Sequence, residues 1–66
     1  MTKYSQEEYL QFAINYLWER NIIADPKNAM IAVKKLNSNL KWEIVSAYQD
    51  RKIEKLTELI KTNINI

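Results

Sequence analysis

The side chains here that could do chemistry are carboxylates, lysine and arginine cations, and tyrosine, serine and threonine hydroxyls; histidine and cysteine are both absent. Catalysis would therefore lack the commonest general base and the most nucleophilic side chain. The same absence removes disulfides and the ligand sets of strong zinc, haem and iron–sulfur sites. The paired carboxylates Glu7-Glu8, and Glu54 with Glu58, read as solvated helix faces balanced by nearby lysines such as Lys55 and Lys61. Without any glycine, no loop brings backbone amides against a phosphate as P-loops and dinucleotide fingerprints require. No catalytic residue, cofactor site or metal site is expected, and the chain is expected to be no enzyme.

Binding chemistry is better represented. Ten basic and eight acidic residues are interspersed and leave a net charge of +2, so no broad basic footprint points to nucleic acid or to an anionic membrane. Four apolar or aromatic residues are candidates for docking another protein: Tyr9, Tyr16, Trp18 and Ile31. Ile31 falls opposite the stripe of Ala29, Ala32, Val33 and Leu36, among Lys27, Lys34 and Lys35, which makes an outward apolar group ringed by ammonium groups.

An alternative is DNA binding of the helix-turn-helix kind, built on the Asn37-Ser38-Asn39 turn and a helix starting near Leu40. Polar contacts would come from Asn39, Lys41, Ser46 and Gln49, with Lys34, Lys35, Arg51 and Lys52 on phosphates. Against it, the turn lacks glycine, Trp42 sits among the base-reading positions, and Glu43, Asp50 and Glu54 offset the basic residues. Protein docking is the preferred function, for a small non-enzymatic regulatory or adaptor protein whose partner is another protein, without a membrane role.

These residues must be positioned by helices, since one proline and no glycine leave little material for tight hairpins. Ser5-Gln6-Glu7-Glu8 is a capping box that starts a helix running to about residue 20. Along it Leu10, Ala13, Ile14 and Leu17 form one stripe and Tyr9, Phe12 and Tyr16 a second. The apolar surface then covers about two thirds of the circumference, more than one partner helix can bury. Asp25-Pro26 caps and opens a helix over residues 26–36. Ser38 or Asn39 caps the next, over residues 40–62.

Within that last segment the apolar face shifts by about 100° between Leu40, Ile44, Ala47, Tyr48 and Ile53, Leu56, Leu59, Ile60. Either the helix breaks near Gln49-Asp50, with Asp50 capping a fourth helix, or it continues for about 34 Å and offers Trp42, Val45, Ile53, Leu56 and Ile60 as a seam. The continuous helix is preferred, because Arg51 and Lys52 in a first turn would oppose the helix dipole. Its free half would need a second chain, so a homodimer held by those five residues is expected.

Sixty-six residues, 47% of them hydrophobic and 27% charged, allow one all-α domain over residues 1–66 with little stability to spare. The polar start, Met1 to Glu8, is unlike a signal peptide, no stretch of 18 apolar residues occurs, and a cytoplasmic location is expected. The abundance of asparagine, lysine and isoleucine fits an AT-rich coding sequence such as a phage or plasmid carries. The tail from Asn63 to Ile66 is expected to fray.

Overall fold

A computed structural model describes residues 4–64, and among these the chain forms four helices: α1 Gln6–Glu19, α2 Pro26–Lys34, α3 Ser38–Gln49 and α4 Ile53–Asn63. The capping box forms as its residues dictate: the Glu8 amide donates to Ser5 Oγ at 3.2 Å and the Ser5 amide to Glu8 Oε1 at 3.0 Å. Tyr4, just before the cap, lays its ring edge-on to Tyr9 and Phe12 at centroid distances of 5.6 and 5.0 Å. That contact is a hydrophobic staple fixing the entry into α1. At α2, Asp25 accepts from the Asn28 amide and Pro26 occupies the first turn.

α2 ends at Lys34, short of the expected residue 36, and two further boundaries depart from expectation. The cap of α3 is Asn37, whose Oδ1 accepts from the Leu40 amide at 2.9 Å, and Ser38 and Asn39 lie inside the helix. A third side chain one step earlier could satisfy the same orphan amides, so composition alone did not decide among the three.

The second departure is larger: no continuous helix spans residues 40–62. α3 stops at Gln49, Asp50 is its C-cap, and Arg51 takes φ 56°. The Lys52 amide donates to the Ala47 carbonyl at 2.9 Å and the Arg51 amide to the Tyr48 carbonyl at 3.0 Å, the paired bonds of a Schellman motif. Asp50 therefore ends one helix and does not start the next; Lys52 precedes α4 and offers no side-chain cap. Arg51 also belongs to a helix C-terminus, where a cation is favourable, so of the dipole objection to a break only Lys52, the N-cap of α4, is left. The same motif closes α1: Asn21 has φ 61°, its amide donates to the Trp18 carbonyl at 3.0 Å, and the Ile22 amide donates to the Leu17 carbonyl at 3.0 Å.

The break lets each apolar face turn inward. α1 packs against α2 and α3, and α3 against α4. Leu10, Ala13, Ile14 and Leu17 of α1 are fully buried with Ala29 and Val33 of α2, Ile44 of α3, and Leu56 and Ile60 of α4. Met30 is also buried. Ile64 seals the end of the core at 3% exposure, and Asn63 remains helical with its Nδ2 donating to the Leu59 carbonyl at 2.9 Å. That part of the tail is held, while Asn65 and Ile66 lie outside the described residues, as do Met1 to Lys3. The radius of gyration is 10.6 Å, matching the roughly 11 Å of a closed globule of this length. No helix among the described residues is long and apolar enough to cross a membrane.

Candidate functional site

Core formation on this scale leaves a short list of large apolar side chains at the surface. Among the described residues they are Tyr4 at 42% exposure, Trp18 at 50%, Ile31 at 52% and Trp42 at 51%. Two of them mark one face. Gln11 and Asn15 of α1 and Pro26, Lys27, Met30, Ile31 and Lys34 of α2 line a groove of about 400 Å³. Trp18 follows Asn15 by three residues and Gln11 by seven, so it continues the α1 wall of this groove toward the α1 C-terminus. The α1 wall itself is neutral, Gln11 Nε2 donating to Asn15 Oδ1 at 3.2 Å. The α2 wall carries the lysines on either side of Ile31.

The four expected docking residues therefore divide. Trp18 and Ile31 share the α1/α2 side, whereas Tyr9 and Tyr16 are half-buried on the other flank of α1. Tyr9 is occupied by Tyr4 and Phe12, with ring centroids at 5.6 and 6.2 Å. Tyr16 meets Tyr48 edge-on at 5.6 Å and lies under the Arg20 guanidinium, 3.7 Å from its ring centroid.

Around Tyr16 lies a cluster that sequence reasoning missed. Arg51 stacks over Tyr48 at 4.5 Å and stands 5.6 Å from the Tyr16 ring. Arg20 Nη1 donates to the Tyr16 carbonyl at 3.2 Å and Arg51 Nη1 to the Tyr48 carbonyl at 2.7 Å. Each arginine thus neutralises carbonyls at the end of its own helix while both cover one tyrosine pair, tying the C-terminal ends of α1 and α3 together. A tyrosine four residues before one arginine and three before another was the available signal.

Of the five residues expected to hold a dimer, Val45, Leu56 and Ile60 have essentially no exposed surface and belong to the core of a single chain. Ile53 is half-buried and only Trp42 is open. The break after Gln49 is the reason: it folds α4 back onto α3, so the seam meant for a second molecule is used within the first.

The DNA-directed set is also split. Lys34, Lys35, Asn39 and Lys41 gather around the α2–α3 turn, whereas Arg51 and Lys52 lie beyond the other end of α3, about 18 Å away along its axis. Arg51 is already engaged with Tyr48. α2 and α3 each pack on α1, and their backbones approach one another closely at few points.

A second concavity, about 640 Å³, lies between the α1–α2 connection and the end of α4, lined by Ile22, Ile23, Ala24, Asp25, Asn28, Lys61 and Ile64. Its Asp25 and Asn28 are committed to capping α2, with Asn28 Nδ2 donating to Asp25 Oδ2 at 2.7 Å. No group of three or more potential metal-ligating side chains gathers among the described residues. Comparison with protein-family models, with curated proteins and with solved structures gives no match to this chain.

Proposed function

We propose that this protein is a small non-enzymatic regulatory or adaptor module that docks other polypeptide on its α1/α2 face. The observation that carries this is the half-exposed Ile31, set between Lys27 and Lys34 beside a groove that Trp18 extends. Ile31 and Trp18, two of the most exposed large apolar side chains among the described residues, stand on one side, where contact with an apolar partner surface removes them from water. The groove suits a helix or extended segment with apolar anchors and acidic flanks. Affinity capture from an extract of the source cells tests it: wild type and Trp42→Ser retain the same polypeptide, and Ile31→Glu loses it. Equal retention by Ile31→Glu would remove the α1/α2 face from the function.

DNA binding is the second reading, favoured by the four polar and basic residues around the α2–α3 turn. Duplex titration at low and moderate salt separates the two, because neutralising several phosphates makes affinity fall steeply with salt. The docking module shows no duplex affinity even at low salt.

A further inference from the structure

We propose that copies of this chain associate head to tail, an acid-rimmed patch on α4 of one molecule seating in the base-rimmed α1/α2 groove of the next. This rests on the docking function above and names the occupant of the groove. Two surfaces of one molecule carry it. The groove presents Met30 and Ile31 between Lys27 and Lys34. On a separate part of the surface, Ile22 of the α1–α2 connection meets Ile53 and Thr57 of α4 in a shallow depression of about 430 Å³, whose charged members are Glu54 and Glu58.

Each surface has apolar groups at its centre and two like charges at its rim, and the signs are opposite. Bringing the patches together sets each pair of like charges against its opposite, with Lys55 and Lys61 flanking the α4 carboxylates outside the depression, and removes Ile31, Ile22 and Ile53 from water. Glu54 and Glu58 are one turn apart, about 6 Å along the axis, and Lys27 and Lys34 two turns apart, about 10 Å. Flexible lysine stems span that difference while their methylenes cover apolar surface. The groove's α1 wall brings no carboxylate into its lining. Because the two patches are different surfaces, the contact is heterologous, and its repetition extends an open chain of molecules instead of closing a pair. Patches this small hold weakly, so association sets in at about 100 μM to 1 mM and recedes as salt is added.

A charge swap tests this with surface substitutions only. Lys27→Glu/Lys34→Glu makes both patches acidic, and Glu54→Lys/Glu58→Lys makes both basic. In sedimentation equilibrium at low salt the wild-type average mass rises with concentration, and each double variant alone associates at least about tenfold more weakly. An equimolar mixture of the two recovers association, since every patch again faces its opposite. A wild-type monomer up to about 1 mM, either double variant associating as wild type does, or a mixture that fails to recover would each overturn the head-to-tail contact. A wild-type monomer combined with Ile31-dependent capture of another polypeptide would overturn it while the docking function stands.

Discussion

Arg51 holds a left-handed backbone at φ 56°, a conformation that costs a residue bearing a Cβ about 1 kcal/mol or more relative to glycine. Glycine would make the same Schellman turn without that strain, so the arginine side chain must return something. Its bond to the Tyr48 carbonyl at 2.7 Å and its place over the Tyr48 ring account for the return, a cation–π contact at an exposed site contributing about 0.5 to 1 kcal/mol. Two substitutions separate these terms. Arg51→Ala keeps the strain and loses the guanidinium, and is expected to lower unfolding free energy in urea by about 1 kcal/mol. Arg51→Gly loses both and is expected to stay near wild type, roughly 1 kcal/mol above the alanine variant. Equal stabilities for the two variants would show that the turn is not strained.

The helices divide into those whose ends are written in local side chains and one whose start is not. Ser5 with Glu8, Asp25 with Pro26, and Asn37 each supply an oxygen to an orphan amide, and Asn37→Ala is expected to cost about 1 kcal/mol, read as a fall in urea midpoint. α4 has no such cap and depends on burial of Leu56 and Ile60. Leu56→Ala is therefore expected to cost about 2 to 5 kcal/mol, comparable to the whole stability of a domain this size, and to abolish the cooperative thermal transition. The stripe Leu10, Ala13, Ile14, Leu17 and the outward Ile31 were legible from spacing alone, because a 3.6-residue period is a local property. The break between α3 and α4 was visible as a 100° shift of the apolar face, but its mechanism was not. An αL arginine has no compositional mark, and Arg51 and Lys52 look like a poor helix start until Arg51 is seen to finish the previous helix. Tyr9 and Tyr16 suggested a docking surface for a related reason: spacing shows that they lie beside the core stripe, but not that Tyr4 and Arg20 already cover them.

For the molecule as a whole, the position of Leu56, Ile60 and Val45 decides what a second copy can contribute. A dimer built on those residues would have no folded monomer, and its melting temperature would rise with protein concentration by mass action. With all three enclosed by their own chain, the core is complete before any association, and what remains to be shared is surface, such as the rims around Ile31 and Ile53. The melting temperature, followed by circular dichroism, is accordingly expected to be the same at about 5 and about 50 μM, concentrations below those at which so small a contact forms. A shift of several degrees over that range would place the second copy inside the folding unit. It would also return the C-terminal residues to an intermolecular role that the folded-back α4 assigns to the monomer.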